Sequence, residues 1–185
     1  MAEPKAQSHT GTSLAFNEDH LEKALAVLGY PGFAYLARYV KFEGDSRRAL
    51  DPTELIRWAV AQDVLDVRLI EGLPWLLAAY ATKINWGQLI SDAQKQDAQN
   101  RLGYLAHLAI ELVETKPSLS RPEARRLLKQ SLLQLQEIRS FQEQTLMEEW
   151  SGPTMRVWLQ TNRPQEAAEW HMLTTLTIND LQHAE

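Results

Sequence analysis

The side chains able to do bond chemistry are few in kind. The chain carries 5 histidines and 24 carboxylates and has no cysteine. The missing thiols remove disulfide frameworks, thiolate metal sites and cysteine nucleophiles. His107 and Glu111 stand four apart and share one helix face. That spacing suits a metal or an acid–base pair, but no further ligand follows at helical spacing, and a solvated pair on a helix surface accounts for it more simply. His9 and His183 fall in polar terminal stretches, and His171 adjoins Trp170 with no other chemistry around it. The chain contains no Gly-x-Gly-x-x-Gly, no phosphate-binding Gly-Lys-Ser/Thr, no Gly-x-Ser-x-Gly and no His-Glu-x-x-His. The paired Glu-x-x-His of di-iron bundles is missing too. No catalytic, cofactor or metal residue is therefore assigned, and a non-enzymatic protein without a cofactor is the expectation.

Residues suited to binding are easier to find. Arg121, Arg125, Arg126 and Lys129 lie close together at a helix start. Spacings of 4, 1 and 3 line up Arg121, Arg125 and Lys129, with Arg126 beside them. Such a strip could sit on phosphates; an ordinary solvated face is the alternative. Arg47 and Arg48 would extend it if the fold brought them near. The six tryptophans are Trp58, Trp75, Trp86, Trp150, Trp158 and Trp170. Indole buries much area and keeps one N–H, which suits interface anchors. Trp58 and Trp75 sit among apolar helical positions and read as core. Trp150, Trp158 and Trp170, with Met147, Met155, Val157 and Leu159, make a patch too apolar for free solvent, so it folds back on the helices or docks a partner.

The elements that would position these residues are helical. Asn17 caps a helix whose apolar face is Leu21, Ala24, Leu25 and Leu28, and Gly29 stops it. Pro31 opens a second short helix with Phe33, Leu36, Ala37 and Val40 inward. As a helix-turn-helix this pair is poor, because its second helix offers only Tyr35 and Arg38 to bases. Asp51-Pro52-Thr53-Glu54 forms a capping-box start, and Asp66 caps the next helix. Gly72 and Pro74 lie inside that helix and predict a kink or two short helices. Asn85 opens a segment running from Trp86 to about Glu114, whose polar middle, residues 94–100, marks an exposed stretch, a break or an interface. Ser120-Arg121-Pro122-Glu123 reads as another capping box, and Ala124, Leu128, Leu132, Leu135 and Ile138 carry a long helix over about 121–149. A short helix from Gln165 to about Met172 follows, and Thr174–Ile178 is a lone strand or an extended tail. No strand pair or repeat is legible.

The fold expected is all-α, an irregular bundle of seven or eight helices. Residues 1–15 form a flexible arm, 16–150 the helical core, and 151–185 a C-terminal helix and tail packed on the core or a partner. The net charge of −5 and 44% apolar residues describe an ordinary globular chain, and an acidic balance is unlike that of a protein that mainly coats nucleic acid. No apolar run reaches the roughly 20 residues of a membrane helix, and no leader is visible, so the cytoplasm is the expected compartment.

Leu65–Leu77, with its Glu71-Gly72-Leu73-Pro74-Trp75-Leu76-Leu77 core, the Asn85-Trp86 pair and Gln99-Asn100-Arg101-Leu102-Gly103-Tyr104 together resemble small bacterial helical proteins encoded beside nucleotidyltransferase-type toxins. The similarity covers about residues 50–112. It implies a cytosolic antitoxin-like or regulatory partner of a bacterial enzyme, although no β-wing of the better-known antitoxins of that system is readable here. A protein-binding regulator is thus the first expectation, with Trp75, Trp86, Asn100, Arg101, Trp150 and Trp158 as candidate partner-binding or core-organising residues. A cognate toxin or a second copy is the candidate partner. A DNA-binding regulator using Arg121, Arg125, Arg126 and Lys129 is the alternative, and an enzyme with a carboxylate site comes third.

Overall fold

A computed structural model describes residues 16–41, 49–147 and 152–181. The fold is all-α, with 63% helix and 3% strand. Among the described residues the order is α1 (Glu18–Leu28), a 3₁₀ turn (Pro31–Phe33), α2 (Pro52–Val60), α3 (Val67–Ala79), α4 (Trp86–Lys95), α5 (Gln99–Thr115), α6 (Pro122–Glu137), β1 (Gln144–Thr145), α7 (Pro153–Asn162), α8 (Gln165–Glu169), β2 (Met172–Leu173) and a 3₁₀ turn (Ile178–Asp180). The expected arm 1–15, Arg47, Arg48, Trp150 and His183 lie outside the described residues.

The core is built on α5, which packs against α3 on one side and α6 on the other. Leu102, Leu105, Ala106, Ala109 and Leu112 are fully buried along it, as their 3–4 spacing requires. α3 is one continuous helix despite Pro74. Proline in a helix interior costs about 3 kcal/mol by removing an N–H and crowding the preceding turn. The burial of Leu73, Leu76 and Leu77 offsets that cost. The break foreseen near Gly72 is therefore not made. Gly72 instead brings α3 close to α1, since a Cβ there would stand 2.9 Å from Leu25 Cδ1 and 3.2 Å from the Tyr30 ring.

Several helix starts follow the sequence signals. Asn17 accepts from the His20 N–H (2.8 Å), Asp51 from Thr53 (2.8 Å), Asp66 from Arg68 (2.9 Å) and Asn85 from Gln88 (3.2 Å). Both predicted capping boxes fail. Glu54 turns to Arg57 at 2.5 Å instead of back to Asp51, and α6 begins at Arg121 with no capping side chain at all.

Two further expectations are corrected, and the polar middle of a third segment proves to be the break that was one of its readings. Residues 31–39 form a chain of i→i−3 turns, such as Leu36 N–H to the Phe33 carbonyl at 2.9 Å, and no α-helix. The segment from Trp86 to Glu114 is two helices, broken where Asp97 takes a left-handed φ of 54°. The long helix over 121–149 stops at Glu137. Its continuation has good helix formers, but propensity is a weak preference that tertiary bonds override. Here those bonds pull residues 138–147 into an extended strap. β1 of that strap pairs in parallel with β2, with Gln144 beside Met172 and Thr145 beside Leu173, a strand pair the sequence does not announce. α7, equally unannounced, follows Gly152, whose φ of 94° suits a residue without a side chain.

Candidate interaction site

The start of α5 governs the strap. Asn100 is completely buried. Its Nδ2 donates to the Ser140 carbonyl at 2.9 Å and more weakly to that of Gln142 at 3.4 Å, while its Oδ1 accepts from the Ser140 N–H at 2.9 Å. A side-chain amide carries both a donor and an acceptor and so serves both groups of Ser140 at once. Arg101 adds four contacts: Nε to the Thr145 carbonyl (3.2 Å), Nη1 to the carbonyls of Gln62 (2.8 Å) and Val60 (3.3 Å), and Nη2 to Asp63 (3.4 Å). It therefore ties the end of α2 to the strap. The carbonyls satisfied are these, and not those freed by Pro74.

Asn100 and Arg101 are thus occupied within the chain. So are two of the tryptophans named for a partner. Trp75 is buried, with ring centroids 5.5 Å from Tyr30 and 6.1 Å from Tyr80. Trp86 is buried and its indole N–H donates to the Ala81 carbonyl at 2.9 Å. These four side chains organise the fold and are not free to anchor another chain.

The apolar last third divides. Trp170 is 2% exposed, and Met147, Met172, Leu176 and Leu181 join the same core. Tyr104 seals this join by donating to the Leu176 carbonyl at 2.5 Å. α7 behaves differently. Its inward side is polar apart from Leu159: Arg156 and Gln160 donate to Glu143 of the strap at 3.0 and 2.6 Å, and Arg163, just after the helix, approaches it at 3.1 Å. The other side carries Met155, Val157 and Trp158, exposed by 41%, 61% and 51%. Val157 and Trp158, with Pro153, Thr154, Thr161 and Asn162, line a shallow apolar recess open to solvent.

Ionisable groups converge in more than one place, with Glu18, Asp19, Glu22, Asp66 and Arg68 around a recess between α1 and α3. Asp63, Asp97, Arg101, Glu143 and Arg156 line a polar recess between the strap and α5. Desolvation pushes the Glu143 carboxyl up, but hydrogen bonds from Gln160 and Arg156 and the charge of Arg163 outweigh it and hold it below the usual range. An ionised carboxylate locked in ion pairs is a brace and a poor proton carrier near neutrality. For the His107–Glu111 pair, burial raises Glu111, the charge of His107 opposes this, and Glu166 and Glu114 add to the rise. Among the described residues no three His, Asp or Glu side chains gather closely enough to hold a metal ion, and no helix is long and apolar enough to cross a membrane.

The basic strip survives as a surface feature. Arg121, Arg125, Arg126 and Lys129 are exposed and line one recess with Ser120 and Pro122. Arg125 and Lys129 share Glu114 of α5, at 2.6 and 3.1 Å. Hydrogen bonds from these two lower the Glu114 carboxyl, and their charges add to that.

The fold and its surfaces define an irregular all-α protein with an apolar helix face at one place and a cationic recess at another. Comparison with protein-family models, curated proteins and solved structures finds no match.

Proposed function

We propose that the chain is a non-enzymatic, protein-binding regulator, the antitoxin-like partner of a bacterial nucleic-acid- or nucleotide-handling enzyme, and that it meets this partner with the outer face of α7. The carrying observation is the orientation of that helix. Its polar side is spent inside the chain on Glu143, while Met155, Val157 and Trp158 are turned to solvent. A half-exposed tryptophan flanked by aliphatic side chains has the composition of an interface anchor. The net charge of −5 complements the basic surface expected of an enzyme that handles phosphates.

The test is co-expression with the enzyme encoded by the neighbouring gene, using the wild type and Trp158→Asp. The wild type should form a stable complex and relieve that enzyme's toxicity to the host. Trp158→Asp should do neither, while keeping the wild-type helical circular dichroism. An absent complex with the wild type, or an undiminished one with the variant, refutes the reading.

A further inference from the structure

We propose that the recess at the start of α6 binds the phosphodiester backbone of a nucleic acid strand, independently of the apolar face of α7. Four observations carry this. The Arg121 and Arg126 side chains are exposed and form no hydrogen bond or ion pair among the described residues. Arg125 and Lys129 lean on a single carboxylate, Glu114, so one negative charge serves two positive ones. Arg121 stands at the positive end of a 16-residue helix that no side chain caps, with Arg125 and Arg126 one turn further in and Lys129 a turn beyond them. Only Glu123 in the first turn complements that end.

The arrangement is costly to the fold alone. Cations at a helix N-terminus oppose its dipole, and the unbonded N–H groups of the first turn add to the positive potential. A bound anion reverses both effects, since it meets the dipole, the free N–H groups and the guanidinium forks together. The spacing favours a strand over a lone phosphate. Residues four apart on a helix rise by about 6 Å, so Arg121, Arg125 and Lys129 span roughly 12 Å in two near-equal steps. That pattern matches a row of charges better than one. In a chain of net charge −5 this local surplus also fixes the face by which a polyanion approaches.

The test is fluorescence anisotropy of labelled oligonucleotides, one single-stranded and one duplex, titrated with the full chain at about 20 mM salt. Binding through three phosphates gives a log–log salt slope of about −2.7 for the duplex and about −2.1 for the single strand, hence a loss of affinity of roughly 80-fold and roughly 30-fold between about 20 and 100 mM. Arg121→Glu with Arg126→Glu should weaken binding at least about tenfold, because both free cations are reversed. Glu114→Gln should tighten it, by releasing Arg125 and Lys129 from their competitor. All three positions are exposed, and circular dichroism confirms folding of each variant. The proposal is overturned if neither oligonucleotide binds at low salt. It is also overturned if the double variant binds like the wild type, if Glu114→Gln does not tighten binding, or if millimolar inorganic phosphate displaces the oligonucleotide completely, which would mark a single-anion site.

Discussion

Gly103→Ala sets two opposed effects against each other, and the structure decides between them. Gly103 lies inside α5. Replacing a mid-helix glycine by alanine should stabilise the helix by about 1 kcal/mol. At this position, however, a Cβ would stand 2.0, 2.4 and 2.5 Å from Cζ3, Cε3 and Cη2 of Trp170. Ordinary carbon contacts are near 3.5–4.0 Å, so the ring must withdraw by well over 1 Å. It has little freedom to do so. Trp170 is 2% exposed, its backbone N–H donates to the Glu166 carbonyl at 3.2 Å, and the next residue, His171, holds a φ of 53°. Overpacking a tight core costs about 1–3 kcal/mol, and expelling a tryptophan from it about 3–5 kcal/mol. The net expectation is a destabilisation of up to about 2 kcal/mol if the ring stays in the core and about 2–4 kcal/mol if it is expelled. Urea unfolding followed by circular dichroism measures it. A cycle with Trp170→Leu should show that Gly103→Ala costs at least about 1 kcal/mol less once the indole is gone. A stabilised Gly103→Ala variant, or no coupling in the cycle, would refute the reasoning.

Other expectations concern the strap and α7. Asn100→Ala strips three hydrogen bonds from a buried site and should cost about 2–3 kcal/mol, at about 1 kcal/mol each; limited proteolysis should then cut within residues 138–147, and an unchanged digest would contradict the assignment. Against desolvation, hydrogen bonds from Gln160 and Arg156 and the charge of Arg163 hold the Glu143 carboxyl below the ordinary glutamate value, so its contribution is present above that ordinary value and is lost as the pH falls through the depressed folded one. Glu143→Gln should therefore flatten the acid limb of a stability-versus-pH curve, with loss of α7 docking read by amide exchange. Trp158→Ala should leave unfolding within about 0.5 kcal/mol of wild type, because half of that side chain is in water.

Local chemistry accounts for the parts of this fold that were legible beforehand. Caps such as Asn17, Asp51, Asp66 and Asn85 act on the next two or three residues, so a reader of the chain can place them. Apolar spacing in α5 is equally local. The capping boxes and the turns over residues 31–39 fail locally, whereas the larger failures are long-range. Nothing near residue 137 in sequence says that Asn100 and Arg101 will bind the following loop, forty-odd residues away, and end the helix. α7 was obscured because its apolar residues face outward and its buried side is polar, the reverse of the usual pattern. Among the candidate partner-binding residues, Trp75, Trp86, Asn100 and Arg101 were marked correctly as unusual, but their partners are inside the chain. Trp158 is the described member whose indole stays half in water. The basic strip was visible from spacing alone. The failure of its capping box, which leaves the helix end open, was not.

The parallel pairing of Gln144–Thr145 with Met172–Leu173 has a consequence for how the protein is made. Gly103 receives Trp170, and Tyr104 bonds the carbonyl of Leu176, so the middle of the central helix is finished by residues about seventy positions downstream. During synthesis, everything through α6 emerges while that helix flank is still uncovered. The nascent chain must carry an open apolar groove until Trp170 and Leu176 have left the ribosome. Closure therefore waits on a segment made well after the helix it covers, and a chain stopped before Trp170 would leave the groove wet.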